Sequence, residues 1–415
     1  MRKKKILLLG AGREQLAAIH AAQEIGLSVL AVDGNLHAPG LRVADHGVHL
    51  DIRDTDAVTM LAKAERVDGV FCHAVEIPYI VATVAQRLGL PGLDPEVALR
   101  ATHKALRYRC LAARHVPCPR YAVVETVDQA RESADLLGFP VVMKPVDNAG
   151  ARGVRKVSCP SEIDMSFHWA LRYSSEPVVL VEEWLEGPEI STESVIVDGQ
   201  IVTTGFADRN YALKQRFAPY CLEDGHTIPS CLPASDQTAV LQVVEQAIRA
   251  LGITWGVAKG DLILTNKGPK VLEIAARTSG GRFCSDMVPL ATGVNILKPL
   301  LLMAVGETVD LDLLSPRFHR AAAQRFVWPP PGRVVHLAGI EEAKIQPGIH
   351  DIVLDESLQI GSIIHPMTSH ADRVGHVIAS GETREQAVRR AEEAVQMISI
   401  ETVDEVGVCL LPQTR

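Results

Sequence analysis

Residues 260–281, GDLILTNKGPKVLEIAARTSGG, constrain this chain more than any other stretch. Asp261 opens an apolar run at 262–264, Asn266-Lys267-Gly268 is a turn, and a second run at 271–274 carries Glu273. A short Gly-containing turn between two β-prone runs predicts a hairpin. Antiparallel pairing would bring Asp261 and Glu273 together on one face. Two carboxylates crowded in an apolar setting are costly unless a cation neutralises them. Mg²⁺ suits such a pair, because it takes few protein carboxylates and fills its shell with water and phosphate oxygens. Arg277 follows Glu273 at helix-like spacing, and a guanidinium matches a planar anion such as a carboxylate or a phosphoryl group. Ser279-Gly280-Gly281 then predicts bare backbone amides beside it. A solvated hairpin with ordinary surface charges is the plain alternative, and an isolated acidic pair does not choose between them.

At 415 residues the chain is long for one core, so two or three domains are expected. It is 47% hydrophobic and 22% charged, which places it among globular chains rather than disordered ones. A formal net charge of -8 argues against a nucleic-acid partner held by bulk electrostatics. Eight scattered cysteines with no C-x-x-C pair point to a reducing cytosol, hence a cytoplasmic protein. The basic start Met1-Arg-Lys-Lys-Lys is followed by an apolar run that stops at Gly10, too short for a signal segment. The apolar stretch 295–305 contains Lys298 and Pro299, so no membrane partner is expected either.

The order of elements begins with a buried-type strand at 6–9, then Gly10-Ala11-Gly12, a helix at 14–25 and a strand at 29–32 ending on Asp33. A further strand at 69–72 and a helix at 79–88 continue the alternation, which is the start of a Rossmann-like α/β unit. A dinucleotide site would want a third glycine where Gln15 stands, so the glycines read as a tight turn at the C-terminal edge of a parallel sheet. Asp33 and Glu76 fall at strand ends where either would reach a substrate amine or lie solvated in a loop; for Asp33 the solvated loop is the better reading. Lys104 sits in the following helix and says little by itself.

From 139 the sequence is more informative. A buried strand at 140–143 delivers Lys144, a cation poorly solvated there unless it finds an anion. The loop 147–154, with Asn148, Gly150 and Gly153, would let backbone N–H groups converge on phosphate oxygens; a plain hairpin turn is the alternative. A strand at 178–181 runs into Glu182, Glu183, Trp184 and Leu185, then Gly187-Pro188-Glu189. Such a hinge can pair with an adenine edge while a carboxylate takes ribose hydroxyls; an acidic surface loop would look the same.

Taken in order, Lys104, Lys144, the loop 147–154, the hinge 182–185, Glu189, Asp261, Glu273 and Arg277 resemble the ATP-grasp superfamily over residues 95–300. In that family an acidic residue precedes a hairpin ending in Glu-x-Asn-x-Arg; here Ala275 stands in place of the Asn, which puts a third metal contact in doubt. The resemblance implies that Lys104 and Lys144 contact the phosphates of ATP under the glycine loop, that 182–185 holds adenine and Glu189 the ribose, and that Asp261 and Glu273 hold Mg²⁺, with Mn²⁺ as a substitute. Between these parts, 225–230 reads Gly-His-Thr-Ile-Pro-Ser and resembles the substrate segment of the L-amino acid ligase branch. His226 then faces substrate or phosphates, or is a turn histidine satisfied by backbone.

Beyond Pro299 come short strands at 334–337, 351–354 and 376–379. A last helix starts at Thr383 with Gln386 placed for a capping box. This small α+β domain resembles the C-terminal domain of the same ligases. The expected fold is thus α/β and α+β: a Rossmann-like domain at 1–100, an ATP-grasp domain at 101–305 and a closing domain at 306–415. The chemistry implied is ATP-dependent joining of a carboxylate, an amino acid or peptide-like acid, to an amine. In it Arg277, Lys144 and His226 are catalytic and Glu76, Ser279, Gly280 and Gly281 meet substrate. A homodimer is left open. A purine-pathway ligase or carboxylase, a biotin carboxylase-like enzyme, and a nucleotide-binding sensor are the competing readings.

Overall fold

The computed structural model describes residues 2–404 and, after them, the backbone of the strand Cys409–Leu410. The chain divides into two compact units. One is built from residues up to 118 with 190–206 and 232–318; the other from 119–189, 207–231 and 319 onward.

In the first unit, Lys5–Leu9 is the centre of a parallel sheet, paired with Ser28–Asp33 on one side and Gly69–Phe71 on the other. Ile6, Leu7, Leu8 and Leu9 are all buried, as a strand covered on both faces requires. The helices Leu16–Glu24, Thr55–Ala64 and Pro78–Leu88 belong to this unit. One strand of the sheet, His46–His49, was not expected: its HGVH sequence carries no apolar run, because it is a largely exposed edge strand. The expected helix through Lys104 is two helices, Pro95–Thr102 and Lys104–Ala113. His103 lies between them in extended conformation, and its ring accepts the Leu106 N–H, so Lys104 opens the second helix instead of lying within one.

Residues 260–281 do form the hairpin, Gly256–Thr265 with Gly268–Ala275. The long helix Ala234–Leu251 packs against the return strand. It buries Val240, Val243, Val244, Ala247, Ile248 and Leu251, one face at helical spacing, and stops at Gly252 in the left-handed region.

The second unit holds an antiparallel sheet in the order Tyr121–Val124, Val179–Glu183, Val141–Pro145, Arg155–Val157. Helices Val127–Leu137 and Ile163–Arg172 cover it through Ala130, Ala134, Ile163, Phe167 and Ala170. Later in the chain, Gly375–Gly381 pairs with both Ala321–Phe326 and Ile349–Leu354, and Arg384–Met397 lies across them on Ala387 and Ala391. The cap of that helix is half of the expected box. The Thr383 side chain takes the Gln386 N–H, but the Gln386 side chain reaches past Thr383 to the N–H of Glu382. No helix among the described residues is long and apolar enough to cross a membrane.

Candidate active site

The carboxylates of the first unit owe their position to a bulge. Thr265 pairs with Gly268 and Leu262 with Val271, but Asp261 pairs with Glu273, so Leu272 is an extra residue in the return strand. Without it Asp261 would face Leu272, and Glu273 would point to the opposite side of the sheet. The Tyr108 hydroxyl donates to the Leu272 carbonyl at 3.0 Å and fixes the bulge from the helix that begins with Lys104.

Ser191 donates its hydroxyl to Asp261 Oδ1 at 2.9 Å. Lys259, two residues before Asp261 and so on the same face, donates to Glu273 Oε2 at 2.6 Å and to Asp261 as well. Its cross-strand partner is Ala275. Burial pushes the Glu273 carboxyl up, yet Lys259, Arg107, Arg277 and Lys104 together hold it well below the usual carboxylate range. Lys104 therefore belongs to the field of this pair. The donor set fits a hard divalent ion: two acid side chains in register, with an ammonium already drawn to the position between them.

Arg277 donates from Nε to Glu76 Oε2 at 2.5 Å and from Nη1 to the Thr278 carbonyl at 3.0 Å. Burial disfavours its charge, but Glu76 and Glu273 push its pKa further up, so it stays a cation. The Thr278 hydroxyl lies 2.9 Å from His73 Nδ1 and accepts the Ala74 N–H at 3.0 Å. That ties the loop carrying Glu76 to the segment carrying Arg277. Burial drives His73 down to about 4, so its ring is neutral at physiological pH.

The bare amides expected at 279–281 are in part already taken. Glu193 accepts the Ser279 N–H with both oxygens, at 3.1 and 3.2 Å. Glu14 accepts from Arg282 at 3.1 Å and from the Gly281 amide. Burial pushes Glu193 up to about 7 and raises Glu14 too. Glycines leave room at this turn, and two glutamates distant in sequence, the buried Glu193 and the half-buried Glu14, use that room. Asp33, read as a solvated loop acid, instead accepts the Ala11 and Asn35 N–H groups, each at 2.7 Å, and braces the Gly10–Gly12 turn.

In the second unit Lys144 ends its strand buried against Glu182, with Nζ 2.7 Å from Oε1. The hinge backbone is partly committed: the Glu183 N–H goes to the Arg120 carbonyl and the Trp184 N–H to that of Pro140. Arg120 also pairs with the Glu183 side chain at 2.8 Å. The Trp184 indole carries the ammonium groups of Lys156 and Lys214, each 4.3 Å from its centre. Leu185 follows, and Glu189 opens the strand Glu189–Val197.

Gly150, Ala151 and Gly153 all have positive φ, at 67°, 57° and 76°. A β-carbon on Gly153 would stand 2.9 Å from that of Tyr173, so only glycine fits there. Asn148 donates to the Tyr173 carbonyl, outside the loop, and accepts the Ala149 N–H within it. The Gly150 carbonyl accepts the His370 N–H at 2.9 Å.

His226 is a strand residue, paired with Arg209 in the ladder, rather than a turn histidine. Its Nε2 lies 4.0 Å from Glu223, which also binds Arg209 and, at 3.1 Å, Arg373. The Arg373 guanidinium stacks 3.6 Å over Phe326. Sequence reasoning missed Lys259, Glu193 and Glu223. Only Lys259 left a signal, its alternate spacing before Asp261.

Residues 101–281 match the ATP-grasp domain, and residues 325–403 match the L-amino acid ligase C-terminal domain 2. The chain thus carries an ATP-grasp domain followed by a domain of the L-amino acid ligase type. The carboxylate pair, the glycine loop and the hinge all lie within residues 101–281. It is 28% identical to carnosine synthase 1 of Gallus gallus over 333 residues, 73% of this chain and 35% of that protein. It is 26% identical over 414 residues to a formate-dependent phosphoribosylglycinamide formyltransferase of Synechococcus sp., covering 95% and 97%. The fold is similar to the crystal structure of an L-amino acid ligase from Bacillus licheniformis, with a TM-score of 0.84 at 21% identity over 97% and 100% of the two chains.

Proposed function

We propose that this ATP-grasp ligase joins the carboxylate of an amino acid to an amine, with ATP split to ADP and phosphate. The observation that carries the reading is Arg277, held by Glu76 and the Thr278 carbonyl next to the pair Asp261 and Glu273. An acid bound there would have its carboxylate on the guanidinium, and would draw Glu76 from Arg277 to its ammonium group. The match to the L-amino acid ligase C-terminal domain 2 supports the amino acid over bicarbonate or formate.

Chemically, a carboxylate oxygen of the acid forms a bond to the γ-phosphorus of ATP as the bond to the β,γ-bridging oxygen breaks, and ADP leaves. The acyl phosphate keeps the transferred phosphoryl group. The amine nitrogen then attacks the acyl carbon, loses a proton, and phosphate departs with the C–O electron pair. No side-chain nucleophile is needed; positioning and charge neutralisation do the catalysis. Arg277 holds the acid and the transferring phosphoryl group, while Lys104 and Lys144 take phosphate oxygens. Gly150 and Gly153 shape the loop over them, steadied by Asn148.

The Leu185 amide would pair with adenine, since those of Glu183 and Trp184 are committed, and Glu182 and Glu189 would meet the amino group and the ribose. Asp261 and Glu273 would hold Mg²⁺, which when bound neutralises the charge that builds on the phosphates. His226 and the Gly280 amide are assigned to substrate, in a cytoplasmic enzyme. The test is ADP release over pairs of amino acids, with the product weighed by mass spectrometry. ADP and phosphate should appear in equal amounts only when acid and amine are both present, and the product should equal the two less one water. Turnover with bicarbonate or formate and no amino acid would overturn the assignment.

A further inference from the structure

We infer that Lys259 is a built-in cation that takes the place of one divalent ion, so that this site holds a single Mg²⁺ per nucleotide. The inference rests on the reading of Asp261 and Glu273 as the metal carboxylates and adds to it the number of ions they hold.

Lys259, Asp261, Glu273 and Ala275 share one face of the hairpin, because Lys259 pairs with Ala275 and Asp261 with Glu273. An Asn at 275 would project an amide toward the position where the Lys259 side chain now runs. Alanine offers only a methyl group there. The Lys259 side chain ends with Nζ 2.6 Å from Glu273 and hydrogen-bonded to Asp261. The side chain is mostly buried, 13% exposed, and the Asp261 side chain is 7% exposed, so the contact is little screened by solvent.

Charge makes the same point. The two carboxylates carry two negative charges, and Lys259 returns one of them. Arg107, Arg277 and Lys104 also act on Glu273. A pair of divalent ions would add four positive charges to a cluster that already contains these four side-chain cations, while a single ion adds two. Two-metal sites keep their ions a few ångströms apart and need carboxylates that can bridge them. Here the oxygens that would bridge, Glu273 Oε2 and Asp261 Oδ2, are the ones bonded to the ammonium, which leaves Glu273 Oε1 as the carboxylate oxygen for one ion. Asp261 Oδ1 is bonded to Ser191. Among the described residues no cluster of three or more His, Cys, Asp or Glu side chains could hold a metal ion, so no third acid supplies the missing donor. Lysine is suited to the role because its ammonium is a compact point charge with three donors.

The experiment counts ions directly. Mn²⁺ bound by the full-length protein is titrated by electron paramagnetic resonance in the presence of saturating non-hydrolysable ATP analogue. The wild type should bind one Mn²⁺ per nucleotide, and Lys259→Ala/Ala275→Asn should bind two. Two ions in the wild type, or one in the double variant, would overturn the inference and leave the ligase reading standing. No nucleotide-dependent Mn²⁺ in the wild type would remove the metal assignment itself, and the inference with it. Should the double variant not fold, Lys259→Met is compared with wild type by melting temperature with and without Mn²⁺ and the analogue. The variant leaves two carboxylates facing each other, so its Mn²⁺-dependent rise should exceed that of wild type by several degrees. An equal rise would count against the built-in cation.

Discussion

Asp261 and Glu273 are direct cross-strand partners only because Leu272 is accommodated as a bulge. Their shared face depends on that one unpaired residue, and Glu273 is held ionised there against the cost of burial. Glu273→Gln keeps the size and removes the charge. It should lower ADP formation by about two orders of magnitude or more, the scale of losing one preorganised electrostatic contact in a transition state. Circular dichroism and the melting temperature should stay near those of wild type, since Lys259 keeps Asp261 as a partner. Near-normal turnover in this variant would remove the pair from the chemistry.

The hairpin, its acidic pair and the order of strands were legible because they follow from periodicity and a short glycine turn. The bulge was not: 271–274 reads as a regular strand, and the extra residue shows only when both strands are paired. Lys259 was within reach, lying one alternation from Asp261, but no rule of local sequence says which partner a lysine will choose. Glu14 and Glu193 were out of reach. Each lies far along the chain from the amides at 279–282 that it accepts, and each is desolvated at a cost that local sequence gives no reason to expect. The alternative of a turn histidine at 226 failed for a related reason. Its Gly and Pro neighbours mimic a turn, while pairing with Arg209 makes it a strand residue.

Residues 147 and 148 are anchored to 173–175, but 150–153 combine three positive-φ residues with the His370 N–H on the Gly150 carbonyl. Few fixed hydrogen bonds predict low protection from exchange in the free protein. Amides at 150–153 should exchange at least tenfold more slowly when a non-hydrolysable ATP analogue is bound. The control peptide is Val141–Pro145, whose ladder is already complete and whose exchange should not change. Equal loop protection in both states would mean that the loop does not cover phosphate.

Glu223 gives the pH dependence a definite sign. Burial pushes its carboxyl up, but Arg209, His226 and Arg373 outweigh that and hold it well below the usual value of 4.5. A carboxylate depressed in the folded state contributes stability that is present above the unfolded value, and it is lost as pH falls through the folded one. Glu223→Gln should cost about 3–5 kcal/mol at pH 7, the scale for breaking a buried ion pair from one side. The gap between variant and wild type should close as the pH is lowered well below 4.5 in urea titrations. A difference that stays constant down to strongly acid pH would show that packing, not charge, is what the substitution removed.

The Arg277–Glu76 pair separates a substrate-binding guanidinium from a structural one. Arg277 uses Nε on Glu76 and Nη1 on the Thr278 carbonyl, two directions fixed by one planar group. Lysine keeps the charge but has a single ammonium, so Arg277→Lys can satisfy Glu76 or a bound carboxylate and not hold both in plane. The expected result is a fall in kcat/KM for the acid of about 100-fold or more, on the scale of a few kcal/mol at a charged hydrogen bond. The KM for ATP should change little. Glu76→Gln keeps an acceptor for Nε but loses the charge that would meet an ammonium group, so it should raise the KM for amino acids and leave simple carboxylic acids less affected. If Arg277→Lys instead lowers the melting temperature with the kinetic constants of surviving enzyme unchanged, the pair is a structural brace and the acid binds elsewhere.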